Sequence, residues 1–135
     1  MLQPGDDDTS VPDGAVIWRR LHWNNTAPDE RDPGRRRLSS AAFEDDHRDK
    51  SGMSVHLPGT GETFLDYLHA IGRDTDGIAE ITVGDLRALG YGLRSRPESN
   101  DPRHYEVLPY PPPSKKGKRT AICRIARLVR EPRQP

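Results

Sequence analysis

The sequence predicts an α+β fold: a small single domain with a mixed or antiparallel sheet, two or three helices and disordered termini. Three observations lead to this prediction. The chain has 135 residues, about the size of one domain. Several short segments alternate apolar with polar residues, as half-buried strands do. One longer segment instead repeats its apolar residues at helical spacing.

The first strand is predicted over residues 15–23, AVIWRRLHW, where β-branched and aromatic residues stand between turn-forming segments. Both alternation phases carry apolar side chains, so we expect this strand to be central in the sheet. Residues 24–37 are rich in Pro, Gly, Asn and Asp, which predicts an exposed loop. The next segment, LSSAAF, begins a packed element with a serine free to cap it.

A half-buried strand and a helix are predicted next. Residues 53–57, MSVHL, alternate apolar with polar side chains, as a short strand does. The segment TGETFLDYLHAIG shows the clearest helical period, with Thr60 as its cap and Gly72 at its end. Its apolar residues recur at one-, three- and four-residue spacing: Phe64, Leu65, Leu68 and Ile71.

A strand in residues 78–83, IAEITV, feeds a short helix in which Thr82 and Asp85 resemble a capping box. Residues 91–97 and 104–110, YGLRSRP and HYEVLPY, are separated by the turn-forming ESNDP and predict a hairpin.

The C-terminal part predicts an exposed loop over residues 109–119 and a last helix in TAICRIARLVREP. Cys123 falls within the apolar rows of that helix, which favours a buried thiol. Four apolar residues would share one helical face: Ile122, Ile125, Ala126 and Val129.

We predict one domain over residues 15–131, with an acidic flexible tail over 1–14 and a short tail over 132–135. The N-terminus has neither a basic start nor an apolar stretch, and no segment approaches the length that spans a bilayer. The single cysteine excludes an internal disulfide framework. These features predict a cytoplasmic protein that does not bind membranes.

The charge is balanced in sum but uneven along the chain, with 21 basic and 21 acidic residues. The C-terminal segment over residues 115–135, here called the basic end, could contact an acidic protein, a phosphate-bearing ligand or nucleic acid, or could be a solvated surface. Aromatic residues do not interleave with it, so nucleic acid is the less favoured partner. Seven basic residues are the candidates for such contacts: Lys115, Lys116, Lys118, Arg119, Arg124, Arg127 and Arg130.

Several phrases in order resemble a group of small uncharacterised bacterial proteins: IWRR, RRRLSSAAF, MSV, GIAEITVGDLRALGYGL, DPRHYEVL and ARLVREP. The resemblance implies a shared fold and no particular activity. It leaves open whether Ser39 or Ser40 is the equivalent serine. The matching residues of RRRLSSAAF are Arg37, Ser39, Ser40 and Phe43, and those of DPRHYEVL are Asp101, Pro102 and His104.

Arginine, serine and glutamate also occur in the order found in ADP-ribosyltransferase-like domains. This similarity implies NAD as cofactor, with a guanidinium for the pyrophosphate, a hydroxyl for the nicotinamide ribose and a carboxylate for developing positive charge. The alternative is that Arg20 is a surface residue and Glu106 an exposed neighbour of Val107. The catalytic candidates under the enzyme hypothesis are Arg20, Ser39, His104 and Glu106.

A metal site is not expected. His22, His56 and His69 lie on three predicted elements without the local spacing of a metal motif.

We therefore favour a binding or accessory module, without a cofactor, that contacts an acidic or phosphorylated partner through arginine-rich patches. A divergent NAD-using transferase or glycohydrolase is the alternative, and a nucleic-acid-binding protein is the third. Arg37 and one serine would lie beside the arginines of the first strand, so Arg37→Ala should lose ligand binding. The candidate ligand-binding residues are Arg19, Arg20, Arg37, Ser39, Ser40 and His104.

Overall fold

The computed structural model describes residues 7–43, 53–59, 62–99, 101–108 and 115–134. Within them, six strands form one sheet: β1 (Val16–Leu21), β4 (Met53–His56), β5 (Gly77–Thr82), β6 (Gly92–Ser95), β7 (His104–Leu108) and β8 (Arg127–Arg130). Two strands form a separate hairpin: β2 (Thr26–Pro28) and β3 (Arg36–Leu38). The helices are α1 (Glu62–Ala70), α2 (Val83–Ala88) and α3 (Lys115–Ile125), with short 3-10 turns at Trp23–Asn25 and Ser40–Phe43. The predicted α+β class is confirmed.

The six-stranded sheet is antiparallel throughout, with strand order β6-β7-β4-β1-β5-β8. β1 pairs with β4 and with β5, so it is a central strand, as its apolar residues on both alternation phases predict. β6 and β7 pair as the predicted hairpin.

One face of the sheet, here called the apolar face, carries the main core. Side chains of alternate strand residues pack there against α2, α3 and the Ser40–Phe43 turn. The fully buried members include Ile17, Leu21, Met53, Val55, Ile81, Leu93 and Val107 from the strands, and Phe43, Leu86 and Ile122 from the covering elements.

The opposite face, here called the polar face, is covered by α1 over part of its area. Phe64 and Leu68 of α1 pack on Ile78, and Trp18 meets Phe64 edge to face at 5.4 Å between ring centroids. Leu65 was predicted to belong to the same apolar surface of the helix, but it is 41% exposed. The buried residues of α1 are Phe64 and Leu68, so the side of the helix that faces the sheet is narrower than predicted.

The C-terminal prediction is wrong in two respects. α3 already begins at Lys115, inside the predicted loop, and it ends at Ile125. The following residues form β8 instead of continuing the helix, and they pair with the outer edge of β5. A Cβ on Gly77 would meet the carbonyl oxygen of Arg130 at 2.5 Å and the nitrogen of Pro132 at 2.6 Å. The absence of a side chain at Gly77 therefore lets the C-terminal segment lie against β5.

The predicted exposed loop over residues 24–37 contains the β2-β3 hairpin. Arg36 holds it together, because its guanidinium lies 3.6 Å from the ring centre of Trp23 and donates to the carbonyl oxygens of Trp23 and Thr26. Arg35 pairs with Glu131 at 2.5 Å. Arg35 and Arg36 thus contact residues distant from them in the sequence or across the hairpin.

Residues 7–14 pack on the domain, which differs from the predicted flexible tail. Arg87 pairs with Asp7 at 2.9 Å and with Asp13 at 2.7 Å, and it also donates to the carbonyl oxygens of Asp8 and Val11. The side chain of Val11 is buried in the main core. Residues 1–6 of that prediction lie outside the described residues.

Helix ends agree with the predictions in part. Gly72 and Gly90 follow α1 and α2 with φ of 73° and 95°, the left-handed conformation that ends a helix. Thr82 makes no side-chain capping hydrogen bond, so the predicted capping box is wrong. The predicted cap Thr60 lies outside the described residues. No described helix combines the length and apolarity needed to cross a bilayer.

Candidate functional site

A cavity of about 720 Å³ includes the part of the polar face that α1 leaves open, and it also reaches Arg19 and Ala41. It is bordered by β1, β4, β7 and the chain that follows β6. Three guanidinium groups and three imidazoles line it, against two carboxylates. The lining residues are Arg19, Arg20, His22, Asn25, Ala41, Ser54, His56, Tyr67, Arg96, Pro97, Glu98, His104 and Glu106.

Strand alternation explains why polar groups meet on this face. In β4, Met53 and Val55 point into the main core, so Ser54 and His56 face the other way. In β7 the same alternation turns His104 and Glu106 to the polar face. The register then sets His56 opposite His104 and Ser54 opposite Glu106.

His56 is held by a carboxylate. Its Nδ1 contacts Oδ2 of Asp101, while Oδ1 of Asp101 accepts a hydrogen bond from the backbone N–H of Arg103 at 3.1 Å. A carboxylate only accepts, so Nδ1 carries the proton and Nε2 carries the lone pair in the neutral ring. Burial lowers the pKa of His56 below 6.5, and Asp101 opposes that shift. The ring is therefore largely neutral at pH 7.

His104, in contrast to His56, has hydrogen-bond acceptors beside both of its ring nitrogens. Its Nδ1 donates to the carbonyl oxygen of Arg96 at 2.6 Å, and its Nε2 lies 3.3 Å from a carboxylate oxygen of Glu98. Both neighbours are acceptors, so a ring protonated on both nitrogens satisfies both contacts. The ring centroids of His104 and His56 are 5.3 Å apart.

Glu106 is buried, which corrects the prediction that it is an exposed neighbour of Val107. It is 3% exposed, and its two oxygens contact Arg94 at 2.5 Å and Arg96 at 3.3 Å. A buried carboxylate needs such partners, because transfer from water without compensation is costly. Glu106 therefore fixes the guanidinium of Arg96 at the rim of the cavity.

Arg20 and His22 meet a second buried carboxylate at the end of β1. Asp76 precedes β5, and its oxygens lie 3.8 Å from Nη1 of Arg20 and 3.5 Å from Nδ1 of His22. The neighbouring Arg19 donates instead to the carbonyl oxygens of Ala42 and Ser54. Arg19 thus ties the sheet to the Ser40–Phe43 turn while lining the cavity.

Tyr67 extends from α1 over His56. Its ring centroid lies 5.3 Å from that of His56, and burial raises the pKa of its phenol. The hydroxyl therefore stays protonated at neutral pH and can donate a hydrogen bond.

The structure brings Arg19, Arg20, His104 and Glu106 to the same cavity, as the predicted site requires. It does not bring Ser39, Ser40 or Arg37 there. Ser39 accepts the backbone N–H of Ala41 through Oγ at 3.3 Å, which is the predicted capping role. Arg37 lies exposed on β3, where its guanidinium contacts the carbonyl oxygen of Leu38 at 3.4 Å.

The described arginines of the basic end point to different parts of the surface. Arg127 pairs with Glu80 at 3.0 Å, Arg130 donates to the carbonyl oxygen of Asp74, and Arg124 is exposed on α3. The side chains of Lys115, Lys116 and Lys118 lie outside the described part. Burial raises the pKa of the half-buried Cys123.

Sequence reasoning missed Ser54, Tyr67, Arg96 and Asp101 as parts of one site. Asp101 and His104 do occur together in the phrase DPRH, and the structure gives that phrase a role, since Asp101 shapes the turn and holds His56. Strict alternation in MSVH and HYEVL was the signal that could have aligned both histidines on one face.

Within the described residues, no three His, Cys, Asp or Glu side chains are arranged to hold a metal ion. No protein-family model, curated protein or solved structure matches this chain.

Proposed function

We propose that this protein binds a phosphate-bearing ligand in the cavity on the polar face of the sheet. One observation carries the proposal: Arg20 and Arg96 border the same cavity with partly exposed guanidinium groups, and His104 lies between their strands. The side chains of Arg20 and Arg96 are 31% and 49% exposed. Both can therefore donate hydrogen bonds to a ligand.

The spacing of these groups suits a phosphate ester better than a free anion. The chain after β6 and the strand β1 are separated by two strands, which corresponds to about 14 Å across the sheet. Guanidinium groups bind phosphate oxygens through paired N–H donors. Arginine side chains that start from strand positions this far apart can contact a phosphate and the group that it is attached to.

Two buried carboxylates support the same proposal. Glu106 accepts a hydrogen bond from the guanidinium of Arg96 and so orients it before a ligand arrives, while Asp76 lies 3.8 Å from the guanidinium of Arg20 and attracts it by charge. Preorganised donors lose less conformational entropy on binding.

The NAD-using alternative is less well supported by these contacts. Glu106 would have to stabilise positive charge developing on a ribose, but both of its oxygens contact arginines. Ser39 and Ser40 do not line the cavity. NAD nevertheless contains a pyrophosphate, so it belongs among the ligands to be tested.

The proposal is tested by calorimetric titration with inorganic phosphate, pyrophosphate and NAD. We expect Arg20→Ala to weaken binding at least about tenfold, since charge-assisted hydrogen bonds contribute roughly 1.5–3 kcal/mol. Arg124→Ala is the matched control, because it removes the same charge from an exposed position on α3.

Equal weakening by both variants would indicate that the basic end, or charge in general, attracts the anion. Absence of binding for all three compounds would reject the proposal. Release of nicotinamide from NAD by the wild type but not by Glu106→Gln would favour the enzymatic alternative.

A further inference from the structure

Two imidazoles with opposite hydrogen-bonding roles lie side by side in the cavity. Asp101 accepts a hydrogen bond from Nδ1–H of His56, which leaves Nε2 of that ring as an acceptor. Both nitrogens of His104 face acceptors, the carbonyl oxygen of Arg96 and the carboxylate of Glu98. One ring is thus suited to take a proton and its neighbour to give one.

We propose that His56 and His104 cleave RNA, with His56 as general base and His104 as general acid at a phosphodiester held in the cavity. This inference rests on the proposed binding of a phosphate-bearing ligand there. RNA fits the pair because each of its phosphodiesters has a neighbouring 2′-hydroxyl, which supplies the nucleophile without a further reactant. A reaction that removes a proton from one oxygen and delivers one to another needs both roles at once.

The reaction balances with these groups alone. Nε2 of His56 takes the proton of the 2′-hydroxyl, and the 2′-oxygen forms a bond to phosphorus. The bond between phosphorus and the 5′-oxygen breaks, and that oxygen receives the proton of Nε2 of His104. The products are one strand that ends in a 2′,3′-cyclic phosphate and one strand with a free 5′-hydroxyl.

The other side chains of the cavity match the charge of this reaction. Negative charge grows on the two non-bridging phosphate oxygens as the new bond forms, and one of the two guanidinium groups, that of Arg20 or that of Arg96, can stabilise it. The protonated hydroxyl of Tyr67, whose ring contacts that of His56, supplies a further donor at the cavity. The titratable and charged groups around the two rings are Asp101, Glu98, Tyr67, Arg20 and Arg96.

The test uses a fluorescently labelled oligoribonucleotide and the oligodeoxyribonucleotide of the same sequence, incubated with the full chain. We expect cleavage of the RNA alone, with a 2′,3′-cyclic phosphate detected by mass spectrometry. His56→Gln and His104→Gln should each lower the rate at least about 100-fold, the usual contribution of a general acid or base. His69→Gln is the matched control, since that imidazole is exposed on α1 and outside the cavity.

The pH profile separates the two roles from a structural effect. The wild-type rate should fall at acidic pH, where the base is protonated, and at alkaline pH, where the acid has lost its proton. Residual activity of His56→Gln should lose the acidic limb, and that of His104→Gln the alkaline limb. Should either buried histidine variant fail to fold, Arg20→Ala and Asp101→Asn must still lower the cleavage rate.

Each contrary result has a distinct meaning. Phosphate binding without RNA cleavage overturns this inference and leaves the proposed function in place. Cleavage of DNA at the same rate, or cleavage that the cavity variants do not change, also overturns it. Absence of both phosphate binding and RNA cleavage in the wild type overturns the two proposals together.

Discussion

The two faces of the six-stranded sheet are built by the same strands and differ completely in chemistry. Along β7, Val107 enters a hydrocarbon core, while its neighbours His104 and Glu106 enter a cavity bordered by charged groups. Along β4, Met53 and Val55 alternate with Ser54 and His56 in the same manner.

The comparison shows that alternation within each strand puts the side chains that stabilise the fold on one face of the sheet and the side chains that line the cavity on the other. On the apolar face, burial itself is favourable, because apolar surface leaves water. On the polar face, burial of His56 and Glu106 is unfavourable unless each has a partner, and Asp101, Arg94 and Arg96 provide them. We expect substitutions on the two faces to have different consequences.

The largest effect is expected on the apolar face. Ile17→Ala in β1 removes a fully buried side chain and leaves a cavity in the main core, which should lower the free energy of unfolding by about 2–5 kcal/mol. Urea denaturation measures the change. Val129→Ala, at a 40% exposed position in β8, is the control and should cost much less. A similar loss from both variants would contradict the assignment of the core.

A smaller loss is expected from Glu106→Gln on the polar face. The amide keeps the size of the side chain but removes the charge that pairs with Arg94 and Arg96, so the free energy of unfolding should fall by about 1–3 kcal/mol. Glu30→Gln, at an exposed turn position, should leave it unchanged. A more stable Glu106→Gln variant would show that this burial is unfavourable despite its partners.

The polar face should also make stability depend on pH through His56. Its pKa is lowered in the folded chain, so the unfolded chain binds a proton more readily. The stability that its neutral form contributes is complete above the unfolded pKa of about 6.5 and is lost as the pH falls toward the folded value. Denaturation midpoints between pH 5 and 8 should therefore decline toward acid in the wild type and decline less in His56→Gln. Parallel curves would contradict this origin.

The smallest effect is expected at Arg37, outside both faces. Because its side chain is exposed on β3, Arg37→Ala should change the free energy of unfolding by less than about 0.5 kcal/mol. It should also leave phosphate binding unchanged, in contrast to Arg20→Ala. A loss of binding would restore the hypothesis that the arginine run belongs to the site, and calorimetry distinguishes the two results.

The fold was predictable where local patterns repeat. Alternation in the segments of β1, β4, β5 and β7, and the helical period around α1, follow from which side chains a sheet or helix can bury. The segment after Ile125 was not predictable in this way. A short apolar run fits a helix or a strand equally well, and pairing with the edge of β5 decided for the strand.

The candidate site was predictable in part. Arg20, His104 and Glu106 stood among the candidates, and all three line the cavity. The pairing of Asp101 with His56 joins residues 45 positions apart, so no local pattern in the sequence encodes it. The same limit applies to Ser39, which follows β3 and does not line the cavity.

The sequence by itself determined the α+β class, the central position of the first strand and the alternation of apolar with polar side chains along β4 and β7. These features depend on residue periods within single elements. The tertiary structure alone decided which polar groups meet. It set His56 beside His104 through strand register and placed Asp101 against His56 and the carbonyl oxygen of Arg96 against His104. It also left Arg37 and Ser39 outside the cavity. Register and long-range pairing arise from the burial of the whole core, which no single segment contains.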